Sequence, residues 1–557
     1  MAKKVKVIHH TAHTPYHTQI RGTEIYILNH ALKSGHSVDV ISRRSDIPEE
    51  KREFIKGMYH SAVGGELHFI PYDRDIKIAE HEEAVEGRDD KELVQLGRRR
   101  PTTKVMSKPP RKLTGTTAEL PVTSEQYQQR AKIPSLQRVK ALRNNLRAMQ
   151  TKRADLAVDE EKYLNLIGRE IEKHDRVVLA YHEMDTEDIK AIKAVKDRFG
   201  DKVEVAAHFH CLSAYYTISD PKKDDERGLF QEIIDKGYLD KIVAVSDEVK
   251  TEFEREYPGL KGKMEVVEGG VDDELYSPRA KEGKEERKDQ IFNKGHVDYV
   301  VSYVGRFADP KGKEILVSML RQFELSNPNN VGFMFAVPPG DRPTKQFMEE
   351  VGKYAPRLMK EGKIQFCYDI SKFTKGLDEK KKRELSDHFT QEIKDPRVKV
   401  ITTTAQSASD IYIHPSSSES LGLSVIEAIK TGLPIVVSDI KGIRQYTSDE
   451  HGRFVRLGQD YIDWTMLYQP QKGEPPRTEI GKGKTVSSTT KLGREFRNEI
   501  NGLVERMKSG EIYRGYKRGE KGSSIGRFAT KARELLYGKK KVELTDMVER
   551  LDNIYRR

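Results

Sequence analysis

The 557-residue chain contains only two cysteines, Cys211 and Cys367, and a single tryptophan. Two cysteines exclude a disulfide framework and a cysteine-built metal site, and such scarcity is typical of a reducing compartment. No apolar run is long enough to span a bilayer, since the longest, such as residues 299–304, have the length of a strand. The basic N-terminus is interrupted by His9 and His10, which argues against a signal peptide. Together these absences predict a cytoplasmic protein.

The positive charge of the chain is unevenly distributed. The formal net charge is +11. Residues 98–153 contain 15 Lys and Arg against two Glu, and residues 472–541 contain 19 against eight Glu, so the rest of the chain is net acidic. Because clustered cations attract polyanions, the two basic segments predict that the protein holds an anionic partner.

Strand-length apolar runs alternate with helix-length segments along most of the chain. The runs lie at residues 5–9, 36–42, 177–181, 203–207 and 241–246, and again at 298–304, 332–337, 398–402, 411–414 and 434–438. This alternation predicts parallel sheets that are covered by helices on both faces. We therefore expect an α/β protein with two Rossmann-like domains facing a cleft, residues 1–290 and 291–465, and a basic extension at residues 466–557.

The expected N-terminal domain is interrupted by a basic insertion at about residues 80–165. Residues 98–134 have few bulky apolar side chains and predict a loop. Between residues 136 and 149 apolar residues recur at helical spacing among Lys and Arg, which predicts a basic amphipathic helix that either packs on its own domain or binds a partner. In the C-terminal extension, residues 473–526 predict loops, and the apolar spacing over residues 544–554 predicts a last helix returning to the N-terminal domain.

Two glutamates, Glu419 and Glu427, follow a strand closed by Pro415 and precede a helix end marked by Gly432 and Pro434. In most proteins such a pair is part of a solvated helix face. Here the pair flanks a glycine-containing turn that opens a helix, and the first N–H groups of a helix lack internal acceptors and can bind phosphate. A carboxylate beside them can hold the vicinal hydroxyls of a sugar. The pattern therefore indicates a nucleotide-sugar.

The run from Asp410 to Gly442 resembles the retaining glycosyltransferases of family 4, which have the GT-B architecture. Three further segments resemble the same family in the expected order. They are Gly22-Thr23-Glu24, then Glu268-Gly269-Gly270-Val271-Asp272, and Val304-Gly305-Arg306 with Lys311-Gly312. The chain departs from the family pattern at Thr23, which replaces a second glycine, and at Arg444 and Gln445, where an acidic residue is usual.

The resemblance implies a role for each matching position. Arg306 and Lys311 would bind the diphosphate, and cations there would stabilise the charge that develops as the sugar bond breaks. Glu427 would bind the ribose hydroxyls and Glu419 would face the donor sugar as a catalytic residue. The remaining donor-binding positions would be the opening-loop Gly22 and the helix start at Gly422, Leu423 and Ser424.

A histidine near the reacting centre is also implied by the resemblance. The strand at residues 203–207 runs into two histidines, and His210 is the favoured one, with His208 as the alternative. The resemblance implies no bound metal and no cofactor besides the nucleotide-sugar co-substrate. The histidines near the N-terminus would then line the cleft or have no functional role; they are His9, His10, His13 and His17.

The expected function is transfer of a hexose from a nucleotide-sugar to an acceptor with retention of configuration. The sequence leaves open whether the acceptor is DNA with a modified base, an anionic membrane glycolipid or an acidic polymer. Tyr513 and Tyr516 lie among basic residues and could stack on bases, which favours nucleic acid, whereas the basic helix lacks the Trp or Phe of a membrane anchor. A non-catalytic nucleic-acid-binding protein on a transferase scaffold and a phosphorylase are the alternatives. The oligomeric state is not determined by the sequence.

Overall fold

A computed structural model describes fifteen stretches of the chain. They are residues 5–11, 22–42, 47, 49–70, 161–182, 186–210, 221–278, 283–292, 297–307, 309–338, 342–393, 395–449, 451–457, 485–511 and 543–557. The predicted basic loop and helix at residues 98–149 lie outside these residues, as do His13, His17, Tyr513 and Tyr516. The chain divides into two compact units, one comprising Met1–Ile70 and Leu166–Arg557 and the other Pro71–Asn165. Only residues 161–165 of the second unit are described, and they are helical.

The first of two sheets is built from the N-terminal half of the chain. It has seven parallel strands in the order β3-β2-β1-β4-β5-β6-β7. The strands are β1 (Val5–Thr11), β2 (Ser37–Ser42), β3 (Leu67–Phe69), β4 (Arg176–Tyr181), β5 (Val203–Phe209), β6 (Lys241–Ala244) and β7 (Met264–Val266). The helices are α1 (Gly22–Lys33), α2 (Glu49–Val63), α3 (residues 161–173), α4 (Thr186–Phe199), α5 (Pro221–Asp235) and α6 (Asp247–Glu256).

The second sheet repeats this architecture. Its seven parallel strands have the order β11-β10-β9-β8-β12-β13-β14. The strands are β8 (Tyr299–Val304), β9 (Val331–Ala336), β10 (Ile364–Asp369), β11 (Val398–Ile401), β12 (Ile411–His414), β13 (Ile435–Ser438) and β14 (Gly452–Val455). The helices are α7 (Lys284–Phe292), α8 (Lys313–Leu325), α9 (Arg342–Tyr354), α10 (Pro356–Lys360), α11 (Glu379–Glu392), α12 (Leu423–Lys430), α13 (Lys441–Arg444), α14 (Thr485–Lys508) and α15 (Leu544–Arg556).

The prediction of two parallel α/β sheets is confirmed. Every residue of β1 and of β9 is buried, which is the pattern of a strand covered by helices on both faces. In each sheet the strand order reverses beside its first strand, between β1 and β4 and between β8 and β12. Ligands of such sheets bind outside the carboxyl ends of the strands at this point. The topology therefore indicates that the residues following β1, β5, β8 and β12 could contact a ligand.

The expectation of loops over residues 473–526 is wrong for α14, a helix of 24 residues. One face of this helix packs against α8 in the second sheet's helical layer, and its buried side chains recur every three or four positions. They are Leu492, Phe496, Ile500, Leu503, Val504 and Met507. The Gly, Lys and Ser content of the segment concealed this spacing. None of the described helices, α14 included, is both long and apolar enough to cross a bilayer.

The last helix, α15, packs against α1 and β1 of the first sheet. Its Asp552 accepts hydrogen bonds from the Ser34 hydroxyl at 2.6 Å and from the Gly35 backbone N–H at 3.0 Å, both just after α1. Leu551 and Tyr555 on the same helix are fully buried. Helix α15 is therefore part of the first sheet's core, although the strands of the second sheet, β8 to β14, precede it in the sequence.

We predict opposite effects of an added methyl group at two glycines of α14. A Cβ at Gly493 would lie 2.5 Å from the Ser318 hydroxyl and 2.7 Å from the Met319 backbone nitrogen of α8, whereas a Cβ at Gly502 would meet nothing within 4 Å. Gly493→Ala should destabilise the protein by about 1–3 kcal/mol through overpacking. Gly502→Ala should stabilise it by about 0.5–1 kcal/mol, because alanine is the better helix former. Thermal unfolding of both variants tests the pair, and an equal response would contradict this packing of α14.

Candidate functional site

Glu419 lies at the carboxyl edge of the second sheet, where its side chain is almost completely buried. Its Oε1 accepts a hydrogen bond from Lys311 Nζ at 2.6 Å and lies 2.5 Å from His414 Nε2. Although burial alone would raise the pKa of Glu419, the Lys311 ammonium and the His414 ring outweigh it and hold that pKa well below its usual value. Glu419 is therefore a stable anion that positions a lysine.

Close approaches of the backbone bring these side chains together. A Cβ at Gly312 would lie 2.1 Å from the Pro415 carbonyl oxygen, and a Cβ at Gly442 would lie 1.9 Å from the carbonyl oxygen of Glu419. Gly312 also has a left-handed φ of 72°, which favours glycine. The Ser417 N–H donates to the Pro310 carbonyl at 2.7 Å. The loops after β8, β12 and β13 are thus held in direct backbone contact around Glu419.

Glu427, on the second turn of α12, is the second buried carboxylate of the site. Its Oε1 accepts a hydrogen bond from Lys372 Nζ at 2.6 Å, while its buried Oε2 has no hydrogen-bond partner among the described residues. Burial raises the pKa of Glu427 despite the attraction of Lys372. Burial and the interaction of its hydroxyl with Glu427 raise the pKa of Tyr276, and the Tyr276 ring centroid lies 5.5 Å from Lys372 Nζ. Glu427 therefore offers an unused acceptor oxygen.

A cavity lies beside this acceptor, between α12 and α1. Its lining comes from both sheets' domains, since Tyr26 and Asn29 of α1 face Leu423, Glu427 and Lys372. The segment from Gly269 to Tyr276 forms the rest of the wall. A molecule in this cavity would touch Glu427 and the first turn of α12 on one side and the N-terminal domain on the other.

The structure places the other predicted donor-binding residues, apart from Gly22, around the same edge. Arg306 follows β8 by two positions and is exposed, whereas Gly22 begins α1 on the opposite sheet. Gly422 is the N-cap of α12 with a left-handed φ of 67°, and Leu423 and Ser424 open that helix. The N–H groups of Leu423 and Ser424 lack intrahelical acceptors and are available to an anion, whereas the Val425 N–H donates to the Gly422 carbonyl at 2.9 Å. Glu419, Lys311 and the α12 N-terminus are thus brought together, whereas Gly22 begins a helix of the first sheet's domain.

The segment after β7 joins the two domains at the cavity. Arg550 of α15 donates a hydrogen bond to Glu268 at 2.8 Å, and Lys430 of α12 forms an ion pair with Asp273 at 2.7 Å. A Cβ at Gly270 would lie 2.5 Å from the Leu544 Cα. The predicted Glu-Gly-Gly-Val-Asp motif is therefore clamped between α12 and the last helix.

Five histidines form a buried cluster at the carboxyl ends of β1, β4 and β5. His208 is fully buried and lies 2.8 Å from the Tyr555 hydroxyl, whereas His210 is half-buried. The other three members are His9, His30 and His182. His9 and His10 are completely buried, so the expectation that they line the cleft is wrong, because β1 is covered on both faces. His182, His208 and His210 place ligand-type nitrogens within 4.8 Å of one another.

Sequence analysis missed several residues of the site. Lys372 follows β10 and His414 ends β12, so the rule that ligands bind at the carboxyl ends of parallel strands could have indicated both. No local signal pointed to His182 or Asp552, because their partners are distant in the chain. Arg444, which stands where the family usually has an acidic residue, donates a hydrogen bond from Nε to Asp439 Oδ1 at 2.6 Å.

Comparisons with known proteins match the part of the chain that contains Glu419 and Glu427. Residues 371–460 match the family described as glycosyl transferases group 1. The sulfoquinovosyl transferase SQD2 of Arabidopsis thaliana is 26% identical over 238 residues, covering 41% of this chain and 38% of the relative. The D-inositol 3-phosphate glycosyltransferase of Corynebacterium diphtheriae is 22% identical over 273 residues, covering 48% and 56%. The alpha-maltose-1-phosphate synthase of Mycolicibacterium smegmatis is 26% identical over 260 residues, covering 46% and 58%.

The matches leave a substantial part of each curated relative uncovered, since the chain spans between 38% and 58% of these three proteins. Among solved structures, a glycosyltransferase from Rickettsia africae aligns over 99% of this chain and 98% of its own, with 14% identity and a TM-score of 0.49. The order and parallel pairing of the strands in the two sheets define the fold. Residues 371–460, which include Glu419 and Glu427, therefore resemble the group 1 glycosyl transferases, and they lie within an architecture of two parallel α/β sheets.

Proposed function

We propose that the protein is a retaining glycosyltransferase of family 4 with the GT-B arrangement, which transfers a hexose from a nucleotide-sugar and needs no further cofactor. The observation that carries the proposal is the pair of buried carboxylates beside the α12 N-terminus, one holding Lys311 and the other presenting an unpaired oxygen. The group 1 match covers both glutamates, and the relatives named above are sugar transferases or a sugar-phosphate synthase by name.

The site supplies separate contacts for each part of a nucleotide-sugar. The ammonium of Lys311 has three donors, of which Glu419 takes one, so the others are available to phosphate oxygens. Together with Arg306 and the first turn of α12, it would stabilise the charge that grows on the departing diphosphate. Glu427 Oε2 would accept hydrogen bonds from the ribose hydroxyls.

The transfer step breaks the bond between the sugar and the diphosphate and forms a bond from the same sugar face to the acceptor oxygen. The departing diphosphate takes the acceptor's proton, so no separate protein base is required. His210, at the carboxyl end of β5, would contact a substrate hydroxyl from the N-terminal domain.

We propose an anionic acceptor, with nucleic acid as the first candidate. The two basic segments support this proposal, because clustered Lys and Arg bind phosphate backbones strongly and in a salt-dependent way. One relative is named for D-inositol 3-phosphate, an anionic acceptor, which supports the charge but not the polymer. The cytoplasm is the compartment in which this substrate pair would meet.

A donor and acceptor panel tests the function directly. Nucleoside diphosphate release is measured with each nucleotide-sugar alone, with DNA containing hydroxymethylated bases, with anionic vesicles and with inositol phosphate. We expect one donor to be consumed, DNA to accelerate its turnover, and the product to keep the donor's anomeric configuration by NMR. Stimulation by vesicles or inositol phosphate alone would refute nucleic acid as acceptor, and no turnover of any donor would refute the enzyme.

Removal of the exposed Arg306 side chain should slow transfer without affecting folding. Arg306→Ala should lower kcat by about 10²–10³-fold, because one charge-stabilising contact to the developing anion is lost. Lys380→Ala is the control, since it removes a cation whose side chain is 83% exposed on α11. Steady-state kinetics with the active donor measures the effect, and turnover at the wild-type level in Arg306→Ala would remove this residue from the diphosphate site.

Glu427→Gln should weaken binding of nucleoside diphosphate but not of inorganic pyrophosphate. The substitution keeps the shape of the side chain and removes the charge that would hold the ribose hydroxyls, so the affinity for the nucleotide should fall about tenfold or more. Glu379→Gln, with a 77% exposed side chain, is the control. Calorimetric titration measures both ligands, and an equal loss for the two would place Glu427 at the diphosphate or in the fold instead.

A further inference from the structure

Four of the buried histidines form a continuous row that ends at Asp552. His210 Nε2 lies 2.8 Å from His182 Nδ1, and His182 Nε2 lies 2.7 Å from His9 Nδ1. His9 Nε2 lies 2.9 Å from His30 Nδ1, and His30 Nε2 lies 3.1 Å from Asp552 Oδ1. Every link between two histidines joins an Nε2 to the next residue's Nδ1, so the two nitrogens follow in the same order in all four rings along the row.

We propose that Asp552, at the far end of the chain, sets the tautomer of each histidine in this row, so that His210 presents an unprotonated Nδ1 as a hydrogen-bond acceptor for a substrate hydroxyl. Asp552 is thus a positioning residue for the site. The inference rests on the proposed function only for the identity of the substrate, since the tautomers themselves do not depend on it.

The direction of the row follows from the chemistry of its terminus. An ionised carboxylate can only accept hydrogen bonds, so His30 must carry its proton on Nε2. A neutral imidazole has one donor and one acceptor nitrogen, so His30 Nδ1 then accepts from His9 Nε2–H. By the same reasoning His9 Nδ1 accepts from His182 Nε2–H, and His182 Nδ1 accepts from His210 Nε2–H. His210 therefore carries its proton on Nε2, and its Nδ1 is unprotonated.

The surroundings keep every member in the required protonation state. Although burial alone would raise the pKa of Asp552, the donors His30, Ser34 and Gly35 lower it, so Asp552 is ionised. Burial is the main cause that lowers the pKa of His9, His30 and His182, and it lowers the pKa of His210 to about 3. All four rings are therefore neutral at neutral pH.

The open end of the row lies next to the cavity. The His210 ring packs edge-on against Tyr26, with the ring centroids 5.0 Å apart, and Tyr26 lines the cavity that contains Glu427. His210 is half-buried, and its Nδ1 makes no hydrogen bond to any residue in the described part of the chain. Sugar hydroxyls are the donors that a nucleotide-sugar site would bring to such an acceptor.

The ring geometry favours this row over a metal site at His182, His208 and His210. The ring centroids of His182 and His210 are 5.1 Å apart, and His182 Nδ1 lies 2.8 Å from His210 Nε2. These two distances are those expected when the two nitrogens point at each other. His208 instead stacks on His182, with centroids 4.5 Å apart and an interplanar angle of 25°. Imidazole lone pairs lie in the ring plane, so stacked rings direct them past each other rather than at one ion.

Asp552→Asn should reverse the direction of every hydrogen bond in the row while leaving the positions of the rings unchanged. The Gly35 backbone N–H donates to Asp552 Oδ2 and can only donate, so an asparagine must place its carbonyl oxygen there. Its NH₂ group then occupies the Oδ1 position and donates to His30 Nε2, which must become an acceptor. The protons on all four histidines would move to Nδ1, and His210 would lose its acceptor.

The tautomers are measured by NMR of the full-length protein labelled with ¹⁵N histidine, since the nitrogen shifts distinguish Nδ1–H from Nε2–H. His210→Gln and His30→Gln assign the two ends of the row. We expect Nε2–H for the row in the wild type and Nδ1–H in Asp552→Asn. Ser34→Ala is the matched control, because it removes a second hydrogen bond to Asp552 Oδ1 and leaves the carboxylate, so its tautomers should match the wild type.

The catalytic consequence is measured separately with the active donor. Asp552→Asn should lower kcat roughly tenfold, the effect of one lost substrate hydrogen bond, without changing nucleoside diphosphate affinity. Ser34→Ala should keep the wild-type kcat. An equal loss in both variants would show that Asp552 only docks α15. Wild-type tautomers other than Nε2–H would overturn the row whatever the activity, and so would Zn²⁺ binding by calorimetry that disappears in His208→Gln. Absence of any transferase activity, with the tautomers as expected, would instead refute the proposed function.

Discussion

The ion pair between Glu419 and Lys311 is the contact on which the architecture of the site depends. A buried carboxylate is costly unless it is paired and hydrogen-bonded, and Glu419 meets this requirement through Lys311 and His414. The pairing is possible only because Gly312 and Gly442 allow two loops to approach the backbone around Glu419. The sheet topology, the glycines and the ion pair thus all lie at the carboxyl edge of the second sheet. There Glu419 holds Lys311 in place before any ligand binds.

The end of the chain links the two domains to the same site. The segment from Glu268 to Asp273 is held by α12 on one side and by α15 on the other. The same helix α15 contributes Asp552 to the histidine row beneath the first sheet's carboxyl edge. A residue 522 positions away from its partner His30 therefore contributes to the environment of His210. Substitutions in the last helix should therefore alter the activity of the site as well as the stability of the protein.

Much of the fold and part of the site could be predicted from the amino-acid sequence. Apolar runs of strand length located most strands of both sheets, and the spacing from Glu419 to Glu427 located the loop and helix that build the site. Four strands were missed, namely β3, β7, β10 and β14; β3 and β7 have only three residues, which is too few to show a pattern. Helix α14 was missed since its Gly, Lys and Ser content outweighed the spacing of its buried residues. The donor-binding assignments and the anionic acceptor remain predictions.

The amino-acid sequence by itself determined the repeated strand-helix pattern, the glycines at tight backbone approaches, and the carboxylates beside a helix start, because these depend on neighbours within a few residues. Only the tertiary structure decided that Lys372 pairs with Glu427, that His9 is buried, and that His30 meets Asp552. Such contacts join residues 55 and 522 positions apart. Local propensity carries no information about pairs at this separation, since folding of the whole chain brings them together.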